Sequence, residues 1–231
     1  MKKNLDSIKL VKGIGIVLLH FVLIYLFQIP FLLFTKNIYI TTIPAYALTM
    51  LVFILIYKKE LKDNTKDFKK NYKTILLTSI KYWLIGFALM YLSAIIINKL
   101  PIDNVVNQQQ NDNLLKTYPI IEILIACLFA PITEEIVFRL SFKKFINNRW
   151  IYAITTGLIF AFIHVLSSLL LYKTPIMLVY LIPYGSLGIM FGLAYFKTDN
   201  IYGTIIVHAL HNTISILELL LIGGILLWVK K

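Results

Sequence analysis

The chain is 231 residues long, 59% of them hydrophobic, and it carries a formal net charge of +12. Soluble domains contain roughly 45–50% apolar residues, so this composition excludes an ordinary water-soluble fold and indicates an integral membrane protein. Lysines in short segments between apolar runs carry the excess charge. That distribution is typical of membrane topology and argues against nucleic-acid binding. The single cysteine, Cys127, lies in an apolar run, so neither a disulfide framework nor a cysteine metal cluster is expected.

The first half of the chain contains three apolar runs that are long enough to cross a membrane, at residues 13–34, 39–57 and 74–97. We interpret the first as a retained span, because it exceeds the roughly 7–15 residues of a signal-peptide core. A segment with seven lysines, residues 58–73, separates the second run from the third and is expected to be a loop. Residues 98–117 are rich in asparagine and glutamine and predict an exposed loop with little secondary structure.

Four further apolar runs follow, at residues 118–142, 151–172, 175–196 and 201–229. The last run would be about 43 Å long as a single helix, against a hydrocarbon core of about 30 Å. It must therefore tilt strongly or break. A break near residues 215–218 would give eight spans rather than seven, and we favour eight.

These runs predict an all-α fold, a polytopic transmembrane helical bundle of seven or eight spans that forms a single integral membrane domain over residues 1–231. Lysine and arginine dominate the N-terminus, the segment after the second span and the segment after the fourth. The positive-inside rule therefore places the N-terminus in the cytoplasm. The richness in lysine, isoleucine and asparagine indicates an AT-rich bacterial genome, and hence the bacterial cytoplasmic membrane. The sequence does not predict an oligomeric state.

Ionisable residues at membrane depth carry the functional signal, because each costs at least about 2.5–3.5 kcal/mol on insertion scales. All six aspartates lie in loops or tails, which removes an aspartyl intramembrane site, and neither a G-x-S-x-G nor an H-E-x-x-H motif occurs. The polar groups that remain at depth are Glu134, Glu135, Arg139, His164, His208, His211 and Asn212, with Glu122 and Glu218 more isolated.

Two adjacent glutamates are expected to have different tasks. On a helix, Glu135 and Arg139 are four residues apart and share a face, so they can form a charge-assisted pair that lowers the cost of burying both. Glu134 is rotated from Glu135 by about 100° and stays unmatched. An unmatched buried carboxylate suits a general base. For these three residues alone, a buried ion-pair network that fixes helix packing is an equally good interpretation.

Histidines on two other spans favour a catalytic site. His164 follows Phe160 by four residues and His208 precedes Asn212 by four, so each pair presents one face of its helix. At about 1.5 Å per residue from the predicted cytoplasmic ends, these histidines and Glu134 can meet in the cytoplasmic half of the membrane. The remaining polar residues at depth stay outside the predicted site. His211 is interpreted as packing, with a spare metal ligand as the alternative, and Glu218 as an interfacial residue at a helix break; Glu122 lies towards the outer end of its span.

Three motifs on separate spans resemble those of the CAAX proteases and bacteriocin-processing enzymes, also called the CPBP or Abi family. The family pattern is EExxxR, then FxxxH, then HxxxN. In this chain the motifs begin at Glu134, Phe160 and His208, and the resemblance covers roughly residues 118–212. A protease core over residues 118–231 is therefore expected.

The resemblance implies a glutamate-dependent intramembrane endopeptidase. Glu134 and His164 would activate a water molecule, and His208 with Asn212 would stabilise the oxyanion. A supporting set would hold these residues in place: Glu135, Arg139 and Phe160.

The cofactor remains open at this point. Family members are often described as metalloproteases, and Glu134, His164 and His208 could form a three-ligand zinc site with an open position for water. A metal-free site would make His208 an oxyanion donor instead. We expect either no cofactor or one divalent metal, zinc if any, and we favour metal-free catalysis.

The sequence thus predicts an endopeptidase that hydrolyses a peptide bond of a membrane-associated peptide or protein near the cytoplasmic face. The expected partners are that substrate and the lipid bilayer. One alternative is a non-catalytic membrane immunity protein that binds a bacteriocin-like peptide. Another is a small transporter that uses Glu134 as a proton relay.

Overall fold

The computed structural model describes the backbone of residues 7–229 and the side chains of residues 11–221. The described backbone is helical and contains no β-strand, which confirms the all-α fold class. Its eight helices are α1 Ser7–Leu32, α2 Ile38–Ile56, α3 Lys58–Ile97, α4 Val106–Thr117, α5 residues 119–143, α6 Arg149–Tyr172, α7 Leu181–Thr198 and α8 Ile201–Val229. A short 3-10 helix, Pro175–Tyr180, leads into α7.

The described residues include six helical segments that are long and apolar enough to cross a membrane, judged by length and composition. They correspond to all the predicted spans except the fourth, and they identify an integral membrane protein. The fourth predicted span is α5, which differs from the others in its internal geometry.

Helix α5 contains two wide turns. Ile125–Phe129 and Ile136–Leu140 have π-helical geometry, and they alternate with the α-helical stretches Pro119–Leu124, Ala130–Glu135 and Ser141–Lys143. The residues at the junctions keep right-handed helical backbone angles, so the axis continues from end to end. Single π-helical turns inside α-helices are frequent at functional sites. The glutamate pair lies between the two.

The prediction that residues 58–73 form a loop is wrong. Helix α3 begins at Lys58 and has 40 residues, about 60 Å at 1.5 Å per residue, so its polar first part projects beyond a hydrocarbon core of about 30 Å. This part contains neither proline nor glycine, and nothing in it stops the helix. Asn200, in the turn before α8, fixes it to the bundle by donating to the carbonyl of Asn64 at 2.8 Å and to Asp67 at 2.9 Å.

The prediction that residues 98–117 form a loop with little secondary structure is also wrong, because their second half is helix α4. Val105 and Leu115 are buried and dock this polar helix on the bundle. The Val106 N–H donates to the Ser168 hydroxyl of α6 at 2.8 Å. Two apolar anchors and one hydrogen bond therefore order a segment whose composition resembles a loop.

Helix α8 passes through Ser215 and Glu218 without interruption and has 29 residues. The break expected there is absent, and with it the reason for preferring eight spans. The number of spans and the cytoplasmic N-terminus stay predictions. Lys230 and Lys231, whose side of the membrane depended on that break, lie outside the described residues.

The two ends of the bundle differ in character. At one end, called the lysine-rich end because it carries the polar first part of α3, Lys143 in the last turn of α5 pairs with Asp199 after α7 at 3.3 Å. At the opposite end, called the α4 end below, the Tyr180 hydroxyl donates to the carbonyl of Asp103 at 3.0 Å. A buried apolar core fills the lysine-rich half and includes Phe53, Leu61, Phe138, Phe142, Ile146, Tyr152, Tyr195 and Ile201.

Glycines allow α6 and α7 to pack backbone against backbone. A Cβ atom at Gly157 would lie 2.5 Å from the backbone nitrogen of Ile189, and one at Gly188 would lie 2.9 Å from the Gly157 carbonyl oxygen. Small residues at such contacts are typical of membrane helices. The contact lies just before Phe160 and therefore fixes the level of α6 at which His164 stands.

Candidate active site

Glu135 is held from two sides and is completely buried. Arg139 Nε lies 3.4 Å from its Oε2 atom, close enough for an ion pair but not aligned as a hydrogen bond. His208 Nδ1 donates to its Oε1 atom at 3.0 Å. The four-residue spacing indicated the arginine, whereas the histidine partner from α8 was not predicted. Glu135 thus joins α5 to α8 and has no free oxygen for chemistry.

Arg139 is buried and extends the same network to α6. Its Nη1 atom is 3.5 Å from the carbonyl oxygen of Thr156, and its guanidinium lies 5.3 Å from the ring centroid of Phe160. The Tyr152 hydroxyl donates to the Arg139 carbonyl at 2.8 Å. A cation above an aromatic face is stabilised by the ring quadrupole. Phe160 therefore supports the arginine as well as the histidine one turn later.

Glu134 is not committed to any such network. Its side chain is 19% exposed and lines a cavity, and within residues 11–221 it forms no hydrogen bond. The nearest basic atom is His208 Nε2, 3.8 Å from its Oε2 atom, which exceeds hydrogen-bond length. Because successive helical residues are rotated by about 100°, Glu134 faces the cavity while Glu135 faces the packed interior.

His164 presents one defined nitrogen to the cavity. Its Nδ1 atom is 2.8 Å from the carbonyl oxygen of Phe160. A carbonyl can only accept, so Nδ1 carries the hydrogen and Nε2 of the neutral ring carries a lone pair. The imidazole is stacked on the ring of Tyr184 with 4.8 Å between centroids and lies 4.3 Å from the ring of Phe160. Two aromatic neighbours thus restrict its rotation.

Asn212 compensates for a proline in α5. Pro131 has no N–H, so a carbonyl in the preceding wide turn lacks its intrahelical donor. The carbonyl of Ala126 instead accepts a hydrogen bond from Asn212 Nδ2 at 2.7 Å. The amide has a second N–H that this bond does not use. Asn212 therefore ties α8 to α5 and can still donate to a group in the cavity.

A cavity of about 490 Å³ brings the four predicted catalytic residues together: Glu134, His164, His208 and Asn212. Glu135 and Arg139 lie behind its wall. His211, interpreted from the sequence as packing, also lines the cavity; its ring is 6.0 Å from that of Phe87, and its Nδ1 atom has no hydrogen-bond partner among the described residues. No sequence pattern pointed to Tyr184, because an aromatic residue on an apolar helix cannot be distinguished from a core residue by sequence alone.

The cavity is closed at one end and open at the other. Beside Glu134 its wall consists of buried side chains, among them Phe191 and His208, and beyond them lies the apolar core of the lysine-rich half. At the α4 end its lining includes the exposed residues Asn98 and Asn104. The cavity therefore extends from the predicted catalytic residues towards the α4 end.

The described residues include no group of three or more histidine, cysteine, aspartate or glutamate side chains placed to hold a metal ion. His164 and His208 each use Nδ1 in a hydrogen bond to the protein, which is usual for metal-binding histidines and leaves Nε2 of each ring free. The described side chains of Glu134, His164 and His208 are nevertheless not placed around one metal position, so they do not form the alternative zinc site as arranged. The choice between metal-dependent and metal-free hydrolysis stays a prediction, and no step below is routed through a metal.

A comparison with protein families gives a match for residues 116–214, to a family described as type II CAAX prenyl endopeptidase Rce1-like. No curated protein and no solved structure matches the chain significantly. The matched region contains α5, α6, α7 and the first part of α8, the helices that supply the catalytic candidates. The resemblance noted in the sequence is thereby confirmed over residues 116–214, the part of the chain that matches the Rce1-like family of CAAX proteases.

Proposed function

We propose that the protein is an intramembrane endopeptidase that hydrolyses a peptide bond of a membrane-associated peptide or protein. The observation that carries this proposal is that two adjacent carboxylates have different environments. Glu135 is held by Arg139 and His208, whereas Glu134 is uncommitted and faces a cavity that it shares with His164. The family match supports peptide hydrolysis as the class of reaction.

In the proposed first step, Glu134 and the Nε2 lone pair of His164 accept hydrogen bonds from one water molecule. The water oxygen attacks the carbonyl carbon of the scissile bond, and its proton passes to Glu134. When the carbon–nitrogen bond breaks, Glu134 delivers that proton to the departing amine. General acid–base catalysis of this kind typically contributes about 10²–10⁴-fold to the rate.

Hydrogen-bond donors are needed to stabilise the negative charge that develops on the carbonyl oxygen during the attack. His208 already donates its Nδ1 hydrogen to Glu135, so its Nε2 atom would donate to the oxyanion in the form of the ring that carries a hydrogen on both nitrogens. Asn212 supplies its second N–H. Each donor aimed at an oxyanion is typically worth about 2.7–4 kcal/mol.

The level of these side chains in the bundle supports a proposal for the location of cleavage. They lie at the closed end of the cavity, next to the apolar core of the lysine-rich half. Under the predicted orientation this is the cytoplasmic half of the membrane. We place the reaction there, in the bacterial cytoplasmic membrane.

The experiment that tests the proposal uses the purified full chain in liposomes and a mixed peptide library, with products identified by mass spectrometry. Glu134→Gln keeps the size of the side chain and removes the base, so cleavage should fall by at least about 10²-fold. Glu60→Gln, a matched loss of a carboxylate at the lysine-rich end, should cleave normally. Wild-type rates from the Glu134→Gln protein would overturn the proposal. Protection against a peptide toxin that survives this substitution would favour the immunity alternative.

A further inference from the structure

Glu122 is a second buried carboxylate in the cavity that the proposed reaction does not use. Its residue is 4% exposed, and it belongs to the cavity lining. Within residues 11–221 its carboxylate makes neither a hydrogen bond nor an ion pair. Buried carboxylates are almost always paired in proteins, because removing the charge from water is costly. An unpaired one that faces a cavity indicates a partner that arrives from outside.

The distance from Glu122 to the reaction site can be estimated along α5. Twelve residues separate it from Glu134, which is about 18 Å of helix at 1.5 Å per residue. An extended peptide advances by about 3.3–3.6 Å per residue, so about five residues bridge the two carboxylates. Both line the same cavity, and a peptide held at Glu134 that points to the α4 end therefore passes Glu122.

The register of α8 against α5 brings a third carboxylate to the same end. Helices α5 and α8 run in opposite directions and touch where Asn212 donates to Ala126. Glu122 lies four residues from that contact and Glu218 six, both towards the α4 end. Glu218 also borders the cavity and is exposed at its rim. No lysine or arginine occurs among the described residues of the lining, so the outer cavity attracts cations.

Helix α4 supplies the polar wall of this outer cavity. The amide side chains of Asn107, Gln108 and Asn111 belong to the lining. Each amide offers both donors and an acceptor, the complement of a peptide main chain. The outer cavity thus combines amides for a backbone with an unpaired carboxylate for a charged group.

We propose that the cavity receives its peptide from the α4 end and that Glu122 pairs with a cationic group of that peptide about five residues from the scissile bond. The group is a lysine or arginine side chain or an N-terminal ammonium. The assignment of a scissile bond rests on the proposed function, whereas the recognition of a cation by Glu122 does not. Glu122 is a specificity residue in this proposal and takes no part in the chemistry.

Binding is tested first, on the full-length Glu134→Gln protein in detergent, so that no peptide is consumed. The probes are N-acetylated, fluorescently labelled decapeptides that carry lysine, norleucine or glutamate at one central position. The lysine peptide should bind about tenfold more tightly than the norleucine peptide, equivalent to about 1.4 kcal/mol, and the glutamate peptide most weakly. A norleucine peptide with a free N-terminus shows whether a terminal ammonium serves as well. Equal affinities for lysine, norleucine and glutamate peptides would overturn the proposal without any change at Glu122.

The same series is then measured after adding Glu122→Gln. The preference for lysine should disappear, whereas Glu60→Gln added in its place should leave it intact. If the preference for lysine persists in Glu122→Gln, another group in the cavity causes that preference, and the proposal is overturned. Melting curves of the variants check that each protein is folded, and the comparison between peptides on unaltered Glu122 holds even if Glu122→Gln is unstable.

Cleavage separates this inference from the proposed function. In the peptide library, wild-type products should be enriched in lysine or arginine about five residues from the cut, and Glu122→Gln should lose that enrichment but still cleave neutral peptides. Cleavage without enrichment would overturn the role of Glu122 and leave the endopeptidase standing. A lysine preference in binding together with full cleavage by Glu134→Gln would support the role of Glu122 and overturn the proposed endopeptidase mechanism.

Discussion

Glu135→Gln and Glu134→Gln each remove one carboxylate, yet they should differ in their effect on stability: the first should destabilise the protein strongly and the second hardly at all. Glu135 and Arg139 are both fully buried, with Nε and Oε2 3.4 Å apart, and His208 donates to the other oxygen at 3.0 Å. Removing one partner of a buried ion pair typically costs about 3–5 kcal/mol, because the remaining charge stays buried without compensation. Glu135→Gln should therefore lose a large part of a total stability of about 5–15 kcal/mol.

Glu134→Gln is the matched control, since the Glu134 carboxylate is partly exposed and makes no hydrogen bond within residues 11–221. It should change the free energy of unfolding by less than about 1 kcal/mol and lower the rate of cleavage by at least about 10²-fold. Both variants are titrated from mild detergent into SDS, and unfolding is followed by circular dichroism. Equal stability of the Glu135→Gln protein and the wild type, or equal destabilisation by both substitutions, would refute the division of tasks between the two glutamates.

The remaining predictions concern the supports of the site and its cofactor. Asn212→Leu leaves a carbonyl of α5 unsatisfied and should cost about 1–3 kcal/mol in addition to slowing turnover, measured by SDS titration and by kcat; unchanged values of both would contradict its double role. Gly157→Ala should destabilise by about 1–3 kcal/mol or more, because its Cβ would lie 2.5 Å from the backbone of α7, whereas Gly15→Ala, with open space around it, should be neutral. Asn200→Leu should loosen the polar part of α3, so that trypsin cuts its backbone after lysines that are already exposed, and an unchanged digestion pattern would refute this anchor. Metal analysis of active protein should find less than one equivalent of zinc, and stoichiometric zinc that is required for cleavage would refute the metal-free steps.

The sequence predicted the fold class because apolar length is a local property that each run carries by itself. Prediction from the sequence failed where tertiary contacts determine whether a segment is helical. Residues 58–73 look like a charged loop, and their helix is stabilised by Asn200, which is distant in sequence. Residues 98–117 look disordered, and two buried side chains with one bond to Ser168 order them. Composition cannot report such partners.

The sequence predicted those features of the site that depend on the spacing of residues along a single helix. The four-residue spacing of Glu135 and Arg139 indicated their pairing, and three motifs on three spans indicated convergence. The attachment of His208 to Glu135 depends on the relative rotation of α5 and α8, which no single helix encodes. The link from Asn212 to the carbonyl that Pro131 leaves without a donor is likewise a property of two helices. Glu122 stayed outside the predicted site because its significance lies in the absence of a partner.

The two wide turns of α5 have a consequence for the lengths of chain that this helix tolerates. Each π-helical turn, at Ile125–Phe129 and Ile136–Leu140, closes over one residue more than an α-helical turn would. A one-residue deletion within Ile125–Phe129 would shorten that turn to α-helical size and keep Glu122 and Glu134 on their present faces. A one-residue deletion within the α-helical residues 130–133 would instead rotate everything before it by about 100° relative to Glu134. Glu122 would then leave the cavity while Glu134 kept its place. Single-residue deletions along α5 should therefore be tolerated at the wide turns and should change substrate choice in the α-helical stretch between Glu122 and Glu134.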